Sequence, residues 1–330
     1  MSPTLEIHVP ISPTPAFFRQ LWALAASVRQ FGGQVGRSAS ITAWVSPELP
    51  GLPDLHRLHP WARRLGVSFR WVDAGLFAWH WYFGTALARW SGHFKADVVL
   101  MLDADVVIIR ALDDLAADVL ARPGLHGLLT HISPLTEAQW QTLWQGTGLG
   151  DAPLECTPLA VDFMTFTKAQ RMPPYFNLGV LAAPADVMRL LGEGLVEEME
   201  RANALEKNWF RCQIAVAMSR ARHGLPWFAL PLRDNFPNIE GFEQRQPQEL
   251  AAMRIAHYLN KTATWDKSRD FNDRAAYAAL LHRPGLAGTE AVVQRVLRSL
   301  PACPLDAWPQ RLRTRWLHPQ AELASGDGYL

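Results

Sequence analysis

The chain has 330 residues, 49% hydrophobic and 19% charged, which excludes a disordered chain and leaves room for one large domain with an appendage or for two modest domains. Lys and Arg total 32 against 31 Asp and Glu, a net charge of +1, so nothing in the charge balance supports wholesale nucleic-acid binding. Residues 5–10 read as a short β-type run closed by Pro10. Pro13 and Pro15 then introduce an amphipathic helix over 17–31, stopped by Gly32-Gly33. Strands follow at 41–45 and 67–72, the second succeeded by Asp73. A helix at about 84–90 leads to the most apolar run of the chain, Val98-Val99-Leu100-Met101-Leu102, which fits a strand covered on both faces, as in a parallel sheet. Strand and helix alternate over the first hundred residues, which places the chain in the α/β class. Beyond them the pattern predicts strands at 127–130, 179–182 and 255–259 and helices at 137–144, 185–202 and 210–223. The last fifty residues read as helical and then proline-punctuated, at Pro301, Pro304, Pro309 and Pro319.

Cys156, Cys212 and Cys303 are scattered and make neither a disulfide framework nor a zinc site. The opening Met1-Ser2-Pro3-Thr4-Leu5-Glu6 has no basic and apolar regions of a signal peptide, and no apolar run approaches the roughly 18 residues of a membrane span. These features predict a soluble protein of a reducing compartment. Gly146-Thr147-Gly148-Leu149-Gly150 reads as a helix stop and loop, since it follows a helical pattern and lacks the spacing of a dinucleotide fingerprint. Tryptophan is unusually frequent, 14 against five Tyr, and points to planar binding surfaces as well as core.

Three segments carry chemistry. In Met101-Leu102-Asp103-Ala104-Asp105-Val106 the two carboxylates, two residues apart in an extended chain, point to one side at the carboxyl end of a buried strand, where α/β sheets bind ligands. Like charges that close need a cation, and a hard divalent ion, Mn²⁺ or Mg²⁺, suits them and can also hold a diphosphate. In an isolated Asp-x-Asp a solvated turn is the better reading; directly after five apolar residues it is not. In Tyr175-Phe176-Asn177-Leu178-Gly179-Val180-Leu181, Asn177 offers an acceptor and donors ahead of an apolar strand, and Gly179 lets backbone approach a ligand. In Ile255-Ala256-His257-Tyr258-Leu259-Asn260-Lys261, His257 can supply a third metal ligand and Lys261 can neutralise phosphate oxygens.

Together and in this order, the three segments resemble the GT-A glycosyltransferases, most of all the retaining family 8 that includes glycogenin and bacterial lipopolysaccharide galactosyltransferases. The likeness covers about residues 5–268: Asp103-Ala104-Asp105 matches the family's metal motif, Tyr175–Leu181 its Phe-Asn-x-Gly-Val-Leu segment, and 255–258 its His-Tyr/Phe motif. It implies a mixed, mostly parallel sheet flanked by helices, with a catalytic domain over 1–270 and a helical extension with a basic tail over 271–330. It implies that Asp103, Asp105 and His257 hold Mn²⁺ (or Mg²⁺) bridging the diphosphate of a nucleotide sugar, a UDP-sugar by family. Asn177 and Gly179 would lie beside the donor sugar, and Val9-Pro10-Ile11-Ser12 and Asp73 near the nucleoside. The acceptor is then the hydroxyl of a carbohydrate or glycolipid, and the configuration is retained.

The chain also departs from the family. Where the family has Asp-Gln on the helix after Asn-x-Gly, this chain has Cys212-Gln213; Gln213 remains the candidate for the face of the sugar opposite the leaving group. Lys261 comes earlier than the family's lysine, and Lys267 is a substitute for it. Arg89 is the candidate for the family's donor-binding arginine. A nucleotidyltransferase is the rival enzyme, opposed by the proline-rich, uncharged loop after the first strand; a degenerate nucleotide-sugar-binding protein is the rival without chemistry, favoured by Cys212. Trp79-His80-Trp81-Tyr82, a cluster that Gly84 ends in a loop, reads either as core or as a surface on which a sugar or base could stack, and Trp209 and Trp265 also fall where such contact could occur. Arg311-Leu312-Arg313-Thr314-Arg315-Trp316, with Trp308 nearby, reads either as a solvated basic tail or as a peripheral contact with the inner membrane face of a cytoplasmic protein.

Overall fold

The computed structural model describes residues 3–48, 54–130, 132–159, 168–205, 210–239 and 242–303. In chain order the strands are β1 (Leu5–Ile11), β2 (Ser40–Val45), β3 (Val67–Trp71), β4 (Val98–Leu102), β5 (Val106–Ile108), β6 (Leu125–Leu129), β7 (Cys156–Leu159), β8 (Lys168–Arg171), β9 (Phe176–Pro184), β10 (Trp227–Ala229), β11 (Phe236–Pro237) and β12 (Ile255–His257). Seven of them form the central sheet in the order β10-β6-β9-β4-β1-β2-β3. Strands β1 to β4 run parallel, β10 runs parallel to β6, and β9 runs antiparallel to both β4 and β6. A small sheet, β11-β12-β5, lies at the site, and β7 and β8 form a hairpin. This is the mixed, mostly parallel sheet flanked by helices that the resemblance implies.

Strand β4 shows why the sheet needs so apolar a sequence. Val98, Leu100 and Leu102 enter one core, which they share with the helix Pro15–Phe31. Val99 and Met101 enter a second core with the helices Ala185–Gly192, Leu195–Leu205 and Arg211–Arg222. Successive side chains point to opposite faces, so a strand covered twice has no polar position. The helix Pro15–Phe31 starts where Thr14 accepts from the Phe17 N–H, with Pro15 in the first turn, where its missing N–H is harmless. It is tied to the site's scaffold by Ser27, whose hydroxyl accepts from Ile108 N at 3.0 Å. The C-terminal helices Arg274–His282 and Gly288–Ser299 place Tyr277, Leu280, Val293 and Leu297 in the same first core. Among the described residues no helix is long and apolar enough to cross a membrane.

Four expectations are corrected. The helix read over 185–202 is two helices, because Gly192-Glu193-Gly194 intervenes: Gly194 has φ 71°, and a Cβ on Gly192 would come within 2.9 Å of the Trp90 carbonyl. The strand read over 179–182 spans 176–184, so Asn177 lies inside β9 rather than ahead of it. The strand read over 5–10 runs on to Ile11, so the first three residues of Val9-Pro10-Ile11-Ser12 all belong to β1; Pro10 is accommodated because pairing with β4 ends at His8. Gly84 does not end the aromatic cluster in a loop but lies inside the helix Tyr82–Ala88, where a Cβ would come within 2.7 Å of the Leu76 carbonyl.

Candidate functional site

After β4 the chain passes through Asp103-Ala104-Asp105 into β5 as a turn, not as the extended segment the sequence predicts. The carboxylates nevertheless converge, because both ends of the turn are pinned. Asp103 N donates to the Gly179 carbonyl of β9 at 3.0 Å, and Tyr258 N, just past β12, donates to the Asp105 carbonyl at 3.0 Å. Antiparallel pairing of β12 with β5 sets His257 opposite Val106. One ligand atom each from Asp103, Asp105 and His257 then lies within 4.8 Å of the others, with His257 Nε2 3.4 Å from Asp105 Oδ1.

The imidazole is held from behind. Its Nδ1 lies 3.0 Å from Asn235 Oδ1, and Asn235 Nδ2 donates to Asn177 Oδ1 at 3.1 Å. Asn177 Oδ1 also accepts from Gly179 N at 2.9 Å, so Asn177, Asn235 and His257 form one chain of hydrogen bonds. When Nδ1 carries the proton and donates it to an amide oxygen, Nε2 keeps its lone pair for a ligand. The ring packs on Gly179: a Cβ there would lie 2.0 Å from His257 Cε1 and 2.4 Å from Nδ1. The glycine is thus required by the histidine, rather than by a positive φ.

Two cations balance the carboxylates. Arg89, its side chain 1% exposed, donates from Nη1 to the Leu102 carbonyl at 3.2 Å and to Asp103 Oδ1 at 3.3 Å. Lys267 places its ammonium on Asp105 Oδ2. Burial pushes the Asp103 carboxyl above its ordinary range, and Arg89 offsets part of that rise. Burial acts the same way on Asp105, but Lys267 and His257 outweigh it and hold that carboxyl well below the usual carboxylate range.

Asp103, Ala104 and Asp105 line one side of a cleft of about 1080 Å³. The end of β1 and the start of the next helix (Ile11, Ser12, Thr14, Gln20), the residues Tyr82 and Thr85, and the segment Asp266–Asp273 complete it. Of the sequence candidates, Ile11 reaches this cleft, while Val9 is buried in the core. Arg89 is buried behind Asp103 instead of standing on the cleft wall. Asp73 caps the helix Ala74–His80, accepting from Leu76 N at 2.9 Å, and does not line the cleft. Lys261 is 78% exposed and pairs with Asp266 at 3.0 Å, so the lysine at the carboxylates is Lys267. Gln213 does not line the cleft either; its Oε1 accepts from Tyr175 Oη at 2.8 Å. Cys212 is buried, and burial pushes its thiol up to about 12. Trp265 belongs to the core, edge-on to Tyr258, and is not a stacking surface, whereas Trp79 and Trp81 are 75% and 55% exposed. Trp209, Trp308, Trp316 and the basic stretch 311–316 lie outside the described residues. The sequence reading missed Asn235, whose segment Asp234-Asn235-Phe236 carries no motif.

No protein-family model matches the sequence, and no curated protein matches it. Solved structures do share its fold. The galactosyltransferase LgtC, in complex with donor and acceptor sugar analogues, superposes with a TM-score of 0.53 at 17% identity, over 94% of this chain and 99% of that one. An active-site mutant of LgtC gives 0.52 at 17% identity, over 93% and 99%. The bifunctional glycosyltransferase WbbM in its apo form gives 0.51 at 13% identity, over 91% of this chain and 50% of that one. At these identities the likeness is one of fold. The chain has the GT-A fold, and beside its cleft lies a buried Asp-Asp-His cluster suited to a divalent cation.

Proposed function

We propose that the protein is a metal-assisted glycosyltransferase that moves a sugar from a nucleotide-diphosphate donor, a UDP-sugar, to the hydroxyl of a carbohydrate or glycolipid acceptor. The observation that carries this reading is the convergence of Asp103, Asp105 and His257 where β4 ends at the cleft of a GT-A fold. The donor set fits Mn²⁺ or Mg²⁺: two hard carboxylates and one imidazole already turned, by Asn235, so that Nε2 faces Asp105. When bound, such an ion supplies Lewis-acid neutralisation of the leaving diphosphate.

The remaining work belongs to the chain's own side chains. Arg89 fixes Asp103 and tempers the repulsion between the two carboxylates. Ile11 and Ser12, at the end of β1, form the wall assigned to the nucleoside. Lys267 rather than Lys261 is the lysine within reach of phosphate oxygens, because it stands on the cleft wall. Cys212, its thiol pushed up to about 12, is no nucleophile at neutral pH, so transfer with retention proceeds without a covalent enzyme intermediate at that position.

The test is UDP-sugar turnover with and without Mn²⁺, in wild type and Asp105→Asn. Metal-dependent release of UDP that falls at least a hundredfold in the variant, with the fold retained by circular dichroism, supports the reading. Undiminished turnover in Asp105→Asn, or UDP binding indifferent to Mn²⁺, refutes it. Metal-dependent binding of CTP or GTP but not UDP would transfer the site to nucleotidyl chemistry.

A further inference from the structure

Lys267 stands in an unusual place for a side chain that would contact a donor. Its ammonium lies on Asp105 Oδ2, the free oxygen of a carboxylate whose other oxygen faces His257 Nε2. Asp105 is 10% exposed and Lys267 32%, so the contact is largely withdrawn from water. Two carboxylates are already matched by two cations, Arg89 on Asp103 and Lys267 on Asp105. A divalent ion entering this balanced group would meet an ammonium at the oxygen it needs and would leave the cluster with excess positive charge.

The two cations differ in how they are held. Arg89 is enclosed, hydrogen-bonded to two backbone carbonyls as well as to Asp103, and stays where it is. Lys267 is bonded to Asp105 alone among the cluster and stands on the cleft wall. Its backbone is fixed at the first position of the helix Lys267–Asp270: Asp266 accepts from Ser268 N at 3.1 Å and Arg269 N at 3.3 Å, and the fully buried Asp270 is clamped by Arg283 and Arg269. Only the four-carbon stem has to rotate for the ammonium to leave Asp105 and enter the cleft.

We propose that Lys267 is a tethered counter-cation that holds the metal position until a nucleotide diphosphate arrives, and so couples metal binding to donor binding. The proposal rests on the glycosyltransferase reading above. Without a diphosphate, the metal must evict Lys267 into a cleft that also holds Arg269 and whose remaining carboxylates are already engaged, Asp266 by Lys261 and Ser268 N, and Asp273 by Ala276 N. With a diphosphate present, the displaced ammonium gains phosphate oxygens as partners, and the pyrophosphate charge offsets the dication. Each ligand therefore lowers the cost of the other's binding, by the same factor in both directions.

The experiment is calorimetric titration of Mn²⁺ into wild type, Lys267→Met, Lys267→Gln and Lys267→Arg, each alone and with saturating UDP. Wild type and Lys267→Arg should bind Mn²⁺ weakly alone and much more tightly with UDP. Lys267→Met and Lys267→Gln should bind Mn²⁺ alone on the order of tenfold more tightly than wild type, and the ratio between their affinities with and without UDP should fall by the same factor. A lysine that served only as a phosphate contact would leave Mn²⁺ binding alone unchanged. Unchanged or weakened Mn²⁺ affinity in both neutral variants, with wild type binding the metal, overturns this proposal and spares the function. No Mn²⁺ binding to any of the four proteins, with or without UDP, overturns both.

Discussion

Asn235 gives the sharpest test of how the site is organised. It is 1% exposed and makes two side-chain hydrogen bonds, to His257 Nδ1 at 3.0 Å and to Asn177 Oδ1 at 3.1 Å. Asn235→Ala removes both and leaves a buried imidazole N–H without that acceptor. Two lost hydrogen bonds at about 1 kcal/mol each, with an added penalty for the stranded donor, predict a loss of roughly 2–3 kcal/mol in unfolding free energy. The ring then loses its preference for the tautomer that exposes Nε2. Loss of such an outer partner typically weakens a metal site about 10- to 100-fold, or roughly 1.4–2.7 kcal/mol. Calorimetric titration of Mn²⁺ in the presence of UDP measures the second effect, and urea denaturation of the metal-free protein measures the first. Asn235→Asp is the control, since it keeps an acceptor opposite Nδ1 and should keep most of the metal affinity. If folded Asn235→Ala binds Mn²⁺ as well as wild type, the imidazole does not depend on this orientation and the argument for a prepared ligand set fails.

Gly179→Ala should be worse than an ordinary glycine replacement in a strand, because its Cβ would overlap the His257 ring at 2.0 Å; loss of measurable Mn²⁺ binding in a protein that still folds is expected, and retained binding would show that the ring has room to move. The protein should also lose stability in mild acid through His59. That imidazole is 2% exposed, lies 4.0 Å centroid to centroid from Phe18, and is lowered by burial from 6.5 to about 4. A histidine whose folded value is depressed is protonated first in the unfolded chain, so stability is full above about pH 6.5 and falls as pH drops toward 4. Between pH 7 and pH 5 the loss attributable to this group is about 2 kcal/mol by urea denaturation, and His59→Phe should flatten it; an unchanged slope in that variant would assign the acid limb to other groups.

The parts of the site legible in the sequence are those whose logic is local. The apolar run of β4 and the two carboxylates directly after it are contiguous, so hydrophobic patterning alone sets Asp103 and Asp105 at the end of a doubly covered strand. The pattern around His257 and the Asn-x-Gly segment are similarly compact. What the sequence hid depends on chain returning from afar. Asn235 matters because the two-residue strand β11 runs beside β12, a pairing too short to leave a periodic signature. The choice between Lys261 and Lys267 is decided by the turn in which Thr262 N donates to the Trp265 carbonyl at 2.8 Å and by the helix capped at Asp266, which bring the later lysine, not the earlier, back to the carboxylates. The same turn sends Trp265 into the core against Phe271.

Strand β9 links the core to the chemistry. Phe176 and Leu178 face the second core, whereas Val180 and Ala182 face the first, although all four are spaced by two. The side-chain alternation therefore breaks once, between Leu178 and Val180, close to the register shift in the pairing of β6 with β9. Gly179 sits at the break, and a residue without a Cβ can occupy an irregular position in a strand without burying a side chain on the wrong face. The break leaves room for the His257 ring on one side, while the carbonyl of Gly179 accepts from Asp103 N just past the end of β4. Moving β9 by one residue would replace Gly179 with Leu178 or Val180 under the imidazole, and would exchange the residues presented to the two cores. Packing of the two cores thus fixes the register of β9, and that register holds Asp103 and His257 at the distance a shared cation requires.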